Sequence, residues 1–470
     1  MRKRVLTILS VLFQDGGQFY PAQLSAKTRG ITPTAQPAGP ALPSQRTVSV
    51  RRWALIAGLM VCSAHVSTTA SGAEANVPSA EKLRLLGDFF DNEVATGKIS
   101  GAVVLIQQHG RPVYQKTFGM RDVRTNRPMT TDTVLALRSM TKPITSVAAM
   151  MLVDAGKLSL DDPVAKYVPS FANAKVALEQ TDAQGKPSFE LVPAVRPPTV
   201  RDLLLQTSGI AGGYVGGWVA KLYEEGHLFD GEFTNADLAE RLGKVPLTRQ
   251  PGTFWRYGYS ADVLGRVIEV ASGETLFHFM KRSIFDPLGM THTRFVLDTP
   301  EERALMAEPL PSDVNLVDQE RRRRSHPQWE SGGGGLVSTI VDYARFTQML
   351  LNGGTFEGKR YLSPAAFKDM TTDHVGPGTG IGHDYFYFPG DGFGYGYGFA
   401  VRTSAGEANQ PGSMGELKWD SLSGTYVGID PKLDMFYLLM EQTDNERGPI
   451  RVAFRKLVYD AFTSKRGRAR

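Results

Sequence analysis

The sequence predicts a mixed α/β fold: one sheet assembled from both ends of the chain, with a mainly helical region inserted between them. Three observations lead there. Strand-length apolar runs occur near residue 100 and again after residue 395, whereas helical periodicity dominates the stretch between them. No internal repeat or low-complexity block interrupts the pattern. With 470 residues, 41% hydrophobic and 21% charged, the chain can bury a large core. Its one cysteine, Cys62, excludes a disulfide framework within the chain, and the eight histidines have no metal-ligand spacing, so neither a metal nor another cofactor is expected.

The first 75 residues read as a leader. Arg51-Arg52 precedes the apolar stretch Trp53 to Ala64, and small residues follow, with Ser71-Gly72-Ala73 or Ala73-Glu74-Ala75 suited to a signal peptidase. The apolar stretch is too short to span a bilayer, so residues 51–75 predict a secretory signal and an exported, periplasmic or secreted bacterial protein. Residues 1–52 hold eight Lys/Arg and only Asp15 as an acid, leaving 45 basic and 47 acidic residues in the rest. The overall charge of +5 therefore belongs to the leader, and the body has no electrostatic footprint for nucleic acid. The tail Lys465 to Arg470 reads as a solvated end.

From residue 76 the elements follow in order. Glu81 to Gly97, with Leu83, Leu86, Phe89, Phe90 and Val94, has the spacing of an amphipathic helix. Gly101 to Arg121 reads as a hairpin turning at His109 to Pro112. Residues 142–155 carry a helical pattern that stops at Gly156. Residues 160–330 are expected to form the helical part, and 76–160 with 330–465 the α/β part. Tyr395 to Arg402 alternates, Leu417 to Glu441 reads as two strands about the turn Asp430 to Leu433, and 448–463 closes the chain as an amphipathic helix.

Three segments carry chemistry. Ser139-Met140-Thr141-Lys142 stands where a helix begins, and one helical turn stacks Ser and Lys on the same face. A serine hydroxyl needs an adjacent base, and a desolvated lysine can help remove its proton. Alone, this spacing far more often marks a capping serine with an exposed lysine. Pro251 to Tyr259 is a Pro-Gly turn with Tyr257 just before a helix, where the phenol can enter a cleft. Near an ammonium its phenolate would be favoured and could act as a base, although a tyrosine here also fits a core position. Trp419-Asp420-Ser421-Leu422-Ser423-Gly424-Thr425 lies on a strand edge, whose free N–H groups can help bind an oxyanion.

Together these segments resemble the serine β-lactamase-like superfamily, in particular its class C-related branch and the family VIII carboxylesterases. The likeness runs over about residues 80–460 and includes LRSMTKPITS at 137–146, TVRDLLLQTSGI at 199–210, PGTFWRYGYSADVLGRV at 251–267, FDPLGM at 285–290, SGGGGLVSTIVDYARF at 331–346 and WDSLSGTYVGIDP at 419–431. It implies an antiparallel sheet flanked by helices plus an all-helical domain, with the active site between them. It further implies Ser139 as nucleophile, Lys142 as its partner, Tyr257 as general base, and the N–H groups of Ser139 and Leu422 as oxyanion donors. Tyr259 stands where lactamases have asparagine, and Trp419-Asp420-Ser421 where they have Lys-Thr-Gly or His-Thr-Gly.

These departures point away from lactams, whose carboxylate a cation helps to hold, and toward apolar esters held by Trp419, Tyr259 and Ser421. The expected activity is hydrolysis of small to medium carboxylic esters, small-molecule substrates, through an acyl-serine; transfer of the acyl group to another alcohol is compatible with it. A β-lactamase, a D-amino-acid peptidase or amide hydrolase, and a non-catalytic penicillin-binding-like sensor are the alternatives on the same scaffold. Neither a stable membrane span nor a particular oligomeric state is read from the sequence. The run Arg321 to Arg324 reads as a solvated loop, His326 and His383 as loop residues, and Gly332 to Gly335 as support for the cleft rather than a phosphate loop.

Overall fold

The computed structural model describes residues 77–463 apart from 182–184, 186, 214–216, 385–386 and 408. The expected signal segment at 51–75 and the basic tail lie outside the described residues. In chain order the principal elements are α1 (Ala80–Ala95), β1 (Gly101–Gln108), β2 (Arg111–Asp122), β3 (Arg127–Pro128), α2 (Thr141–Asp154), β4 (Lys175–Thr181), β5 (Pro187–Pro193), α3 (Asn235–Lys244), α4 (Ser260–Ser272), α5 (Val314–Ser325) and α6 (Ile340–Leu351). They end with β6 (Phe393–Tyr395), β7 (Ala400–Arg402), β8 (Leu417–Asp420), β9 (Tyr426–Asp430), β10 (Met435–Glu441) and α7 (Arg447–Phe462).

Eight of these strands form one antiparallel sheet in the order β6-β7-β8-β9-β10-β1-β2-β3. Its centre joins the two ends of the chain, with Val103 opposite Met440 and Leu105 opposite Leu438. Because side chains alternate across a strand, β1 supplies both faces. Val103 and Leu105 point to the large core shared with α2. Ala102, Val104 and Ile106 meet Leu86 and Phe90 of α1 and Phe454 and Val458 of α7. Both faces are covered, which is why β1 and β10 are almost uniformly apolar rather than alternating.

α1 and α7 are clasped at their ends: the Ser79 N–H donates to Ala461 O at 2.8 Å and Lys82 Nζ to Asp460 O at 2.6 Å. On the other face α2 runs through the core. Eleven of its fourteen residues are buried, including Ile144, Val147 and Met150, as expected of a helix covered on all sides. α3 starts with a capping box between Thr234 and Asp237. α4 ends at Gly273, whose φ of 76° is the left-handed conformation of a helix stop.

Three details differ from the expected pattern. The helical part also carries the hairpin β4–β5. Leu417 to Glu441 holds three strands, because the chain turns at Ser421 to Thr425 as well as after Asp430. The arginine run is the C-terminal turn of α5, not a loop. Arg321 and Arg322 pair with Asp318, while Arg323 and Arg324 pair with the buried Glu320. Among the described residues no helix is long and apolar enough to cross a membrane, and no cluster of His, Cys, Asp and Glu could hold a metal.

Candidate active site

Ser139 sits in a single 3-10 turn, Arg138–Met140, that leads into α2. Arg138 takes a left-handed φ of 48°, a conformation that costs a non-glycine residue roughly 1–2 kcal/mol. The chain on either side is fastened. The Tyr343 hydroxyl donates to Met140 O at 3.0 Å, and the Leu336 N–H donates to Thr141 Oγ1 at 3.2 Å.

One turn further on, Lys142 is buried, with Nζ 3.5 Å from Ser139 Oγ. The same nitrogen donates to Gly333 O at 2.6 Å and lies 4.5 Å from the centre of the Tyr257 ring. At the next position on this face, Thr145 Oγ1 donates to Gly332 O at 2.7 Å. The glycine segment thus serves the site through its carbonyl oxygens. It approaches so closely that a Cβ on Gly332 would lie 2.5 Å from Ala261 O.

Burial lowers the Lys142 ammonium to about 8, with the Asp262 carboxylate acting in the opposite direction. Asp262, in the first turn of α4, accepts from Ser331 Oγ at 2.5 Å and from the Gly333 N–H at 3.3 Å. Burial raises its own pKa, against these hydrogen bonds and the nearby lysine.

Tyr257 is 5% exposed and lies in an aromatic stack. Its ring is 5.0 Å from Tyr387, nearly parallel, 5.8 Å from Trp419 and 6.1 Å from Trp255. Gln206 braces the backbone around it: Gln206 O accepts from the Arg256 N–H at 2.9 Å, and its side-chain oxygen accepts from the Gly258 N–H at 3.2 Å. Only glycine fits at 258, since a Cβ there would lie 2.4 Å from Ile210 O. Burial pushes the phenol well above its usual pKa, while a hydrogen bond from Ser139 pulls it down. The expectation that Lys142 favours the phenolate is therefore corrected: burial, not the ammonium over the ring face, governs this group.

The turn after β8 is pinned to the nucleophile's own segment. Ser423 Oγ donates to Ala136 O at 3.0 Å and Thr425 Oγ1 to Leu137 O at 3.2 Å. Leu422 lies in this turn, and its carbonyl accepts from Arg447 at 3.3 Å. Ser421, expected to touch substrate, does not present its hydroxyl to a cleft. It is fully buried, 2.6 Å from Thr425 Oγ1 and 3.0 Å from Ser423 Oγ, and so braces the turn. Trp419 packs on Tyr257 and on Tyr395, 5.2 Å away. Asp420 is ion-paired with Arg451. Tyr259 caps α4 beside Tyr223 and Phe229, with ring centres at 6.1 and 5.4 Å.

The structure therefore brings Ser139, Lys142, Tyr257 and the Leu422 turn together, with Trp419 against the phenol. Four specific contacts go beyond the sequence reading, which places Gly332 to Gly335 at the cleft without a role for any one of them. Asp262 is the charge facing Lys142, Gly333 O is its hydrogen-bond acceptor, Tyr387 is stacked on Tyr257, and Arg447 donates to the Tyr387 hydroxyl at 3.0 Å. Gly333 left a local trace in the glycine run, and Asp262 one as an acid in the first turn of a helix just after the tyrosine.

A protein-family model described as Beta-lactamase matches residues 86–459. Esterase EstB of Burkholderia gladioli is 30% identical over 396 residues, covering 79% of this chain and 93% of that protein. Lovastatin esterase of Penicillium rubens is 35% identical over 300 residues, covering 61% of this chain and 72% of that protein. Among solved structures, EstCE1, described as a hydrolase with promiscuous acyltransferase activity, superimposes with a TM-score of 0.66 at 26% identity, over 81% of this chain and 99% of its own.

Proposed function

The chain belongs to the beta-lactamase family, and from that premise we propose that it hydrolyses small to medium carboxylic esters through an acyl intermediate on Ser139. The observation that carries the reading is the buried Lys142 amine at 3.5 Å from Ser139 Oγ, with that hydroxyl hydrogen-bonded to Tyr257. The names of two relatives, both esterases, support the ester as substrate.

In this reading Ser139 attacks the ester carbonyl as its proton leaves. Two candidate bases flank the hydroxyl, the Lys142 amine, which donates to it in the resting state, and the Tyr257 phenol. Lys142 is the more accessible base in the resting enzyme, because burial has lowered its proton affinity to about 8, whereas a Tyr257 phenolate is disfavoured by the same burial. Lys142 takes that proton and returns it by way of Tyr257 to the alcohol that leaves as the ester C–O bond breaks; in the second half-reaction the water proton follows the same path back to Ser139. The N–H groups of Ser139 and Leu422 would receive the oxyanion. Trp419, Tyr387 and Tyr259 give the surroundings an aromatic character suited to apolar acyl or alcohol groups. Export to the periplasm or beyond is part of the proposal and rests on the signal-like residues 51–75 alone.

The test compares purified wild type with Ser139→Ala on short nitrophenyl esters and on a chromogenic cephalosporin. Wild type turns over the esters, Ser139→Ala does not, and intact-mass spectrometry of the quenched reaction finds one acyl group on Ser139. Equal activity in the two proteins, or an adduct on another residue, refutes the assignment; rapid cephalosporin cleavage with inert esters refutes the substrate class.

A further inference from the structure

The residue before Ser139 has an unusual environment that the chemistry above does not use. Arg138 is left-handed, and its backbone angles set the plane of the 138–139 peptide, whose N–H belongs to Ser139. Its guanidinium reaches Glu320 of α5, with Nη2 2.6 Å from Oε1, and both side chains are largely withdrawn from solvent. Glu320 is held from two more directions, by Arg323 Nε at 3.0 Å and Arg324 Nε at 3.8 Å. Burial pushes its carboxyl up, but the three arginines outweigh that and hold it below its ordinary pKa.

The neighbouring backbone is fixed by other groups. Ala136 O and Leu137 O are held by Ser423 and Thr425, and Met140 O by Tyr343. Residue 138 is the joint between these anchored segments, and its side chain is anchored by the α5 carboxylate.

We propose that the Arg138–Glu320 ion pair is a positioning latch, holding the left-handed turn that aims the N–H and hydroxyl of Ser139. The inference rests on Ser139 being the nucleophile. Neither residue of the latch touches substrate. α5 reaches the nucleophile's turn through this charge pair, so a helix that contributes no reacting group still sets the geometry of the reacting one. A buried pair of this kind is poor evidence for stability in itself, whereas a fixed direction for an oxyanion donor has a direct kinetic value.

The test uses the full enzyme in four forms: wild type, Arg138→Ala, Arg138→Gly and Glu320→Gln. Burst and steady-state kinetics on a short nitrophenyl ester separate acylation, kcat and KM. Arg138→Ala and Glu320→Gln are expected to slow acylation and kcat on the order of 10- to 100-fold, with KM nearly unchanged, as for a small misplacement of a reacting group. Glycine adopts a left-handed φ freely, so Arg138→Gly is expected to recover about tenfold over Arg138→Ala although it too lacks the ion pair. A merely structural role would leave glycine no better than alanine. The latch is overturned if Arg138→Ala acylates at the wild-type rate or if the glycine and alanine variants are equally slow. It is overturned equally if folded Glu320→Gln acylates at the wild-type rate. Should Glu320→Gln fail to fold, by circular dichroism, the alanine–glycine pair decides. If wild type itself forms no adduct on Ser139, the serine-hydrolase reading falls, and the latch with it; a labelled wild type with indifferent variants removes the latch alone.

Discussion

Lys142 holds an amine where water cannot solvate its charge, and this one burial has consequences for rate and for stability. For the rate, the neutral amine must be present, so kcat/KM on a nitrophenyl ester should rise with pH and level off above about 8. A profile flat from pH 6 to 9 would remove Lys142 from the proton path. For stability, the folded protein binds the Lys142 proton less tightly than the unfolded chain. Below about pH 8 the penalty of burying the charge is complete, and it is relieved as pH climbs toward 10.5, where the unfolded lysine also loses its proton. The shift corresponds to a penalty on the order of 3 kcal/mol. Denaturant titrations of wild type and Lys142→Met should therefore diverge most at pH 7 and converge by about pH 10, with wild type gaining. Replacing Lys142 by Ala, or Tyr257 by Phe, is expected to lower kcat on the order of 10³-fold or more, because such groups act as a unit. A loss of only a few-fold in stopped-flow acylation would contradict their roles.

At the scale of elements, the turn between β8 and β9 matters more than either strand. The hydroxyls of Ser423 and Thr425 tie it to the segment just before the nucleophile. Thr425→Val should lose about 1 kcal/mol of stability for the missing hydrogen bond, read as a lower melting temperature. It should also lower kcat more than KM, since the turn carries Leu422. An unchanged kcat beside a lower melting temperature would make the tie structural only. This level also shows where sequence reading reached its limit. Ser139 and Lys142 were legible because one helical turn relates them, and Tyr257 because a Pro-Gly turn and a helix start bracket it. Ser421 was misjudged because a strand-edge motif says nothing about which way a hydroxyl turns; it faces Ser423 and Thr425 inside the turn. The Arg138–Glu320 contact and the approach of Asp262 to Lys142 join residues far apart in the chain, and no local spacing announces them. Four like charges in a row resemble a solvated loop, yet the run is helical and Glu320 draws Arg323 inward while the other three stay exposed.

At the scale of the whole molecule, the sheet was legible as a product of both chain ends because β1 and β10 are continuous apolar runs, although its strand count was not. A chain beginning at Val77 retains every described element, and it should fold with the wild-type melting temperature and ester activity. Loss of activity on that trimming, measured with the same nitrophenyl ester, would show that the first 76 residues do more than lead. Removing α7 should have the opposite outcome. Ile450, Phe454, Val458 and Phe462 leave one face of the sheet bare without it, and a chain ending at Glu446 is expected in the insoluble fraction.

The pairing of Val103 with Met440 also governs timing. The central ladder cannot close until the last described strand has been synthesised, however early its first partner emerges. Contacts so distant along the chain form slowly, and a growing polypeptide that must wait for its own ending stays open meanwhile. Such a chain remains available to chaperones and to threading through a narrow channel, then locks in one late step when its two extremities meet.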